Sequence, residues 1–473
     1  MRKINQNSLL VQLKNFGIGP VVGMFISVLT VPVTTRFVAP EEFGKSSLFT
    51  LVQTIFNLVV LFGTDQSFIR FYNSENRDKK QLLWHCMLIP IVFCFFMMLV
   101  VEIFQKNISI FMFNSYEPVI MWLFLLFLPA LLLDRFGLLV IRMDLRGKTY
   151  SFLNVLQQVL NFFILLLFLI FYEKSFRSIV FATIISTILN TIIIVINSKL
   201  LIPIKVYPIE RDLLKEILLF GLPLVPATIL SWIMNSFDKI ALRSWSSFEE
   251  LGLYAAAFKI VAILNVFQNI FTTTWTPMAY KWYEEKVPNK KFDEIGSIMI
   301  ALMTIIFSII IIFRDIVMLL LGEVYRGTGN IFVFLMFNPV LFTVSEVTSQ
   351  GIGFSKKTIY SLYLSIIAAV FNVVGNYILV PKYGAQGAAI STCICYIAFF
   401  WGRTFFSRRL WFKFGLAKYF LNILILVSFG VNMILWENKL VELCLFLFAI
   451  LGNGVNLYKI YKNRKKGDNY DTI

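Results

Sequence analysis

Uniformly apolar runs, each long enough to cross about 30 Å of hydrocarbon, recur along the chain. They fall near residues 15–36, 46–70, 82–104, 118–141, 150–172, 177–198, 215–240, 251–275, 295–313, 328–350, 359–380, 385–406, 416–436 and 440–460. The pattern predicts fourteen membrane-spanning helices. Most runs are apolar all round, which separates spans from amphipathic helices lying on a surface. The first, seventh and eighth are the weakest, because Gly, Pro, Asn, Thr or a charge interrupts each. The polar connections between runs are short, so no extramembrane domain is expected. The N-terminal stretch MRKINQNSLLVQLKN is basic and leads into the first run with no small-residue cleavage site. That predicts a retained first span, not a removed signal peptide.

Composition agrees. Of 473 residues 58% are hydrophobic and 15% charged, with 50 Phe, whereas soluble domains carry about 25% charged residues. An ordinary soluble enzyme is excluded. The 43 Lys and Arg against 27 Asp and Glu give a net charge of +16, which alone would also suit nucleic acid. The basic residues sit in short clumps between apolar runs, however, so a membrane reading is preferred and no nucleic-acid partner is expected. Assigning alternate loops to the two sides places 31 basic residues on the side of the N-terminus and 11 on the other, with Lys259 left inside a span. By the positive-inside rule both termini are cytoplasmic, in a multi-pass protein of the cell membrane.

Little points to a cofactor. Cys86, Cys94, Cys393, Cys395 and Cys444 lie in or beside apolar runs, and Cys393-x-Cys395 has no second pair at metal-site spacing. Gly44-Lys45-Ser46 and Gly147-Lys148-Thr149 look like the end of a phosphate-binding loop. The glycine such a loop needs is replaced by Ala39 in one and Arg142 in the other. No cofactor and no metal are expected.

The chain repeats itself. Phe16-Gly17-Ile18-Gly19-Pro20 in the first span is echoed by Phe220-Gly221-Leu222-Pro223 in the seventh. Glu41-Glu42-Phe43-Gly44 opens the second span as Glu249-Glu250-Leu251-Gly252 opens the eighth. Gly147-Lys148-Thr149-Tyr150-Ser151 precedes the fifth and Ser355-Lys356-Lys357-Thr358-Ile359-Tyr360-Ser361 the eleventh. Three matches in order, six spans apart, predict two parallel repeats related by an axis along the membrane normal. That arrangement around a central cavity is one used by alternating-access transporters.

Four segments resemble one family. They are NFGIGPVVGMFISVLTVPVTTRFVAPEEFGKSSLF (15–49), FGTDQSFIRFY (62–72), GLPLVPATILSWIMNSFDKIALRSWSSFEELGLYAAAFKI (221–260) and VPKYGAQGAAISTCICYI (380–397). They are similar to polysaccharide repeat-unit flippases, the Wzx or O-antigen and capsule type. These belong to the superfamily of multidrug, oligosaccharidyl-lipid and polysaccharide exporters. The resemblance covers essentially the whole chain. It implies an all-α integral membrane fold of two six-helix lobes, over 1–200 and 201–410, with two further helices and a basic tail over 411–473. It also implies a substrate: an oligosaccharide repeat unit on undecaprenyl pyrophosphate.

Charges inside spans are costly and mark functional candidates. Lys259 lies eight residues into the eighth run, and Arg36 ends the first. Asp65 and Arg70 lie in the inner part of the second run, able to pair with each other or with Arg135. Asp134-Arg135 nears the inner end of the fourth run, adjacent residues that face different ways. An anionic pyrophosphate calls for cations, so Arg36, Arg70, Arg135 and Lys259 form the candidate substrate set. Asp65, Asp134, Asp238, Lys239 and Glu346 are candidates for charge pairing or coupling. Asp238-Lys239 suits a gate or lobe contact. Glu346 could take up H+ or Na+ or be a buried hydrogen-bonded acid. Pro20, Pro32, Pro223 and Pro226 should kink the first and seventh spans, and His85 should be interfacial.

The leading expectation is a lipid-linked oligosaccharide flippase, not an enzyme, with H+ or Na+ as candidate coupling ions and other polysaccharide assembly proteins as candidate partners. An ion-coupled multidrug extruder of the same fold would want an acidic or aromatic cavity. A membrane polymerase or glycosyltransferase would want a sizeable extracytoplasmic loop with acid and base residues, which this chain lacks.

Overall fold

The computed structural model describes residues 6–74, 78–198, 201, 206–357 and 359–467, with side chains from Gly17 onward apart from 20, 461 and 463–467. Arg2, Lys3, Arg77, Lys199 and Lys205 lie outside the described residues, as do the side chains of Lys14, Arg464, Lys465 and Lys466. Every regular element among the described residues is helical. In chain order these are α1 (Gln6–Phe37), α2 (Pro40–Leu61), α3 (Thr64–Phe71), α4 (Lys79–Ile103), α5 (Gln105–Phe113), α6 (Pro118–Met143), α7 (Gly147–Phe171), α8 (Phe176–Asn197), α9 (Arg211–Gly221) and α10 (Val225–Trp245). They continue as α11 (Phe248–Glu284), α12 (Asn289–Ile312), α13 (Arg314–Met318), α14 (Gly329–Leu335), α15 (Phe337–Thr348), α16 (Gln350–Phe354), α17 (Ile359–Leu410), α18 (Ala417–Leu435) and α19 (Lys439–Gly467).

Thirteen helical stretches among the described residues are long and apolar enough to cross a membrane. One of them, α17, carries a non-helical Gly384 (φ 51°, ψ −131°) between two apolar halves. Counted as two, it brings the number to the fourteen predicted. The chain packs as two compact units, Met1–Trp232 and Ile233–Ile473, with the boundary inside α10.

In the first unit α1 lies against α7. The backbone N–H of Gly19 donates to Ser151 Oγ at 3.1 Å, and a Cβ on Gly19 would come within 2.5 Å of the Ser151 backbone. α1 runs unbroken through Pro32. The second predicted span ends early: Phe62 (φ 48°) and Gly63 (φ 77°) turn left-handed, and Asp65 and Arg70 lie on the separate helix α3. Gly63 and Gly221 meet backbone to backbone, since a Cβ on Gly221 would sit 2.7 Å from the Gly63 carbonyl. Ser67 Oγ donates to the Ile217 carbonyl at 2.7 Å beside that crossing. Around Pro223 the seventh span does break, into a 3-10 turn over Leu222–Leu224.

In the second unit α11 has 37 residues, about 55 Å at 1.5 Å per residue, so it projects well beyond the bilayer. The tenth span is segmented into α14, α15 and α16. Trp275, Phe292, Phe354 and Trp411 interlock edge to face. α18 is fastened to α12 by Lys418, whose Nζ donates to Asp293 at 2.5 Å and Ser297 at 2.6 Å. α19 is fastened by Arg314 and Glu442 at 2.9 Å. Beyond α12, Asp315 accepts from Lys439 at 2.8 Å, which holds its carboxyl below the usual range.

The internal repeat has a geometric counterpart. Glu42 Oε2 accepts the backbone N–H of Phe176, the first residue of α8, at 3.0 Å. Glu250 Oε2 accepts the backbone N–H of Ala385, the residue after the α17 break, at 2.7 Å. Equivalent glutamates thus secure the start of the sixth span in one unit and the twelfth in the other.

Candidate functional site

Three of the predicted charges, Asp238, Lys239 and Lys259, lie on the α10–α11 hairpin. Ser247 caps α11 by accepting the N–H of Glu250 at 3.2 Å, which fixes the turn between the two helices. Asp238 and Lys239, adjacent on α10, face different ways. Asp238 is only 2% exposed and accepts four hydrogen bonds. Tyr254 Oη donates at 2.5 Å, Thr392 Oγ1 at 2.7 Å, Asn376 Nδ2 at 2.6 Å and Asn372 Nδ2 at 3.1 Å. Asn372 and Asn376 are themselves fully buried, and their carbonyl oxygens have no hydrogen-bond partner. Two unsatisfied amide oxygens beside a buried carboxylate are unusual, because each such orphan costs about 1–3 kcal/mol.

Lys239 turns the other way. Its ammonium sits 5.9 Å from the Phe258 ring, and the next residue on α11 is Lys259. Lys259 lies eleven residues into α11, deeper than the sequence pattern suggested; at 1.5 Å per residue that is about 16 Å, near the middle of the hydrocarbon. Its side chain is exposed, yet it lies deep among protein atoms and close enough to Lys239 for the two charges to repel. Access combined with depth is the geometry of a concave surface. The two ammoniums near one another there make this stretch of the hairpin positive.

The other predicted residues are spread out. Arg36 ends α1 and Arg70 lies in the last turn of α3, both exposed and without an ion-pair partner among the described residues. The 22-residue α2 separates them, about the thickness of the bilayer, so they do not share one ligand. Arg135 pairs with Asp65 at 2.5 Å; Asp65 is buried and does not pair with Arg70. Asp134, half-buried, makes no ion pair among the described residues. Glu346 is paired with Arg403 of α17 at 2.8 Å. The guanidinium also lies 5.1 Å from the Phe399 ring and 5.5 Å from that of Phe342. Arg403 thus sets a cation directly against Glu346 inside the protein. The Asp238 carboxylate is enclosed within the second unit. His85 is fully buried within the protein near the start of α4, with Nδ1 2.8 Å from the Gln81 carbonyl and Nε2 accepting the N–H of Glu210 at 3.0 Å.

Sequence reasoning missed the partners of Asp238. Asn372 and Asn376 did carry a signal, two amides one helical turn apart in an apolar run. Their partner lies more than 130 residues away, which no local pattern discloses.

The sequence profile of the polysaccharide biosynthesis protein family matches residues 16–282. The chain belongs to this family. An uncharacterized membrane protein of Methanocaldococcus jannaschii is 22% identical over 450 residues, 88% of each chain. The capsular polysaccharide biosynthesis protein CapF of Staphylococcus aureus is 24% identical over 41% of this chain and 50% of its own. A probable low-salt glycan biosynthesis flippase, Agl15 of Haloferax volcanii, is 18% identical over 36% of this chain and 37% of its own. Among solved structures, the lipid II flippase MurJ in an inward closed conformation superposes with a TM-score of 0.71 at 14% identity, over 95% of this chain and 99% of that one. An inward-facing multidrug resistance transporter of the MATE family gives 0.63 at 15% identity, over 83% and 97%. This member of the polysaccharide biosynthesis family is therefore an all-helical, multi-pass membrane protein with the fold of these solved structures, and the family resemblance read from its sequence is borne out.

Proposed function

We propose that this protein translocates an oligosaccharide repeat unit, carried on undecaprenyl pyrophosphate, across the cytoplasmic membrane by alternating access, for surface polysaccharide assembly. The observation that carries the reading is the Lys239–Lys259 patch. Two lysines near one another at mid-membrane depth attract an anion, and a pyrophosphate is one that they would hold through charge-assisted hydrogen bonds. The sugar headgroup follows the polar face of α11, where Asn265, Gln268, Asn269 and Thr272 recur at helical spacing. The prenyl chain stays in lipid.

Asp238 is the proposed coupling group. A proton would sit on its carboxylate. A Na+ ion would be held by that carboxylate, the Thr392 hydroxyl and the carbonyl oxygens of Asn372 and Asn376, presented by a half-turn of each amide. Either ion removes the penalty of the two orphaned oxygens or of the buried charge, and so favours one state of the transport cycle. A cationic-drug extruder sharing this fold is disfavoured, since two neighbouring ammoniums repel a cation.

The test is reconstitution in liposomes with a fluorescent lipid-linked oligosaccharide. Wild-type protein should expose the sugar to an outer-leaflet reagent, and Lys239→Gln with Lys259→Gln should abolish this. Transport by the double variant equal to wild type would overturn the reading.

A further inference from the structure

A groove in the first unit lies away from all of these charges. One face of α4, including Lys80, Trp84, Met87 and Met98, forms one wall, and Pro129 and Leu133 of α6 help form the other. Its volume is about 400 Å³, within the range of ligand sites, about 300–1,000 Å³. Its lining is apolar except at one end, where Lys80 in the first turn of α4 has no ion-pair partner among the described residues. The indole N–H of Trp84 donates to the Tyr207 carbonyl at 3.1 Å, so the segment before α9 borders that same end. A second groove between α2, α4, α5 and α6 has a similar volume, about 390 Å³, but no basic residue.

Reach decides what fits. From Lys80 to Met98 the groove follows eighteen residues of α4, about 27 Å, nearly the whole hydrocarbon thickness of about 30 Å. A phospholipid chain anchored at Lys80 serves one leaflet, about half of that. A chain that fills the groove end to end while its phosphate stays at Lys80 must be longer than a leaflet.

We infer that this groove is a docking site for the polyisoprenyl phosphate end of the lipid carrier, with the phosphate at Lys80 and the isoprenoid chain along α4 and α6. The inference rests on the reading given under Proposed function and adds to it a second place, remote from Lys239 and Lys259 in sequence, where the carrier is held. Lys80 supplies charge complementarity, and the long apolar wall supplies selection for chain length.

The experiment is native mass spectrometry of the purified full-length protein in detergent, titrated with undecaprenyl phosphate or with phosphatidylglycerol. Wild type should retain undecaprenyl phosphate at concentrations well below those needed for phosphatidylglycerol. Lys80→Glu should raise the concentration required about tenfold, since one interfacial lysine attracts an anionic lipid and a glutamate repels it. Leu133→Trp should fill the groove and remove binding, while Ile55→Trp in the second groove should leave binding unchanged. If Leu133→Trp does not fold, Lys80→Glu at the surface still decides. Equal retention of both lipids, or no effect of Lys80→Glu, would overturn the inference. No sugar and no translocation enter this measurement. Failure of wild type to move oligosaccharide in liposomes would count against the proposed function and leave the binding result standing.

Discussion

At the scale of single residues, Asp238 and Lys259 show how different the demands on two membrane charges can be. Asp238 is enclosed by four donors, while two amide oxygens beside it are left over. Asp238→Asn should insert normally yet fail to be driven: neither a Na+ nor a proton gradient should accelerate transport in liposomes, whereas one of them accelerates wild type. Acceleration of the Asn variant by the same gradient would remove Asp238 from coupling. Lys259, by contrast, is accessible, and what matters is its charge. Lys259→Arg should keep most transport. Lys259→Gln should weaken substrate binding by about 10- to 100-fold, the loss of one charge-assisted hydrogen bond of about 1.5–3 kcal/mol. Equal transport by Lys259→Gln and wild type would retire it from the site. Isolated charges in apolar runs were legible in the sequence, and so was the Asp65–Arg135 pairing as one of several options. The neutral Asn372, Asn376 and Thr392 were not, because their significance comes only from the acid they surround.

Secondary-structure elements were legible wherever apolar length alone sets them, and less so where a backbone device intervenes. The fourth, fifth and sixth spans fall within a few residues of α6, α7 and α8. The second does not, since Gly63 turns the chain left-handed inside an apolar stretch whose composition gives no warning. Gly221 explains why the Phe-Gly-Leu-Pro segment carries a glycine at all. Its partner is Gly63, and neither can carry a side chain while the backbones touch. Gly221→Val should therefore destabilise the first unit by about 1–3 kcal/mol through overpacking, read as a lower unfolding temperature in detergent. An unchanged temperature would mean that α3 and α9 separate without penalty. Glu42 and Glu250 make the companion case. The sequence matched them as repeat positions, and the structure supplies the reason, a carboxylate that receives the first N–H of a span.

For the whole molecule the decisive feature is the break at Gly384. As one unbroken helix the 52 residues of α17 would extend about 77 Å, more than twice the hydrocarbon thickness, and tilt cannot absorb that excess. Two spans meeting at Gly384 give an even total, which is what the threefold basic asymmetry requires if both termini lie on the cytoplasmic side. A single span there would put the C-terminus outside and reverse every loop beyond it. Reporter fusions after residues 110, 246, 325, 384 and 437 should then all read extracytoplasmic, and a fusion after 145 cytoplasmic. The position at 384 discriminates most sharply. It lies at the tip of a hairpin if α17 is two spans and within the bilayer if it is one. The fusion at 246, between α10 and α11, tests the repeat itself, because the second and eighth spans start with the same glutamate motif and must enter the membrane from the same side. A cytoplasmic reading at 246 would separate the two halves into opposite orientations and leave the matched Glu42 and Glu250 caps without a common origin.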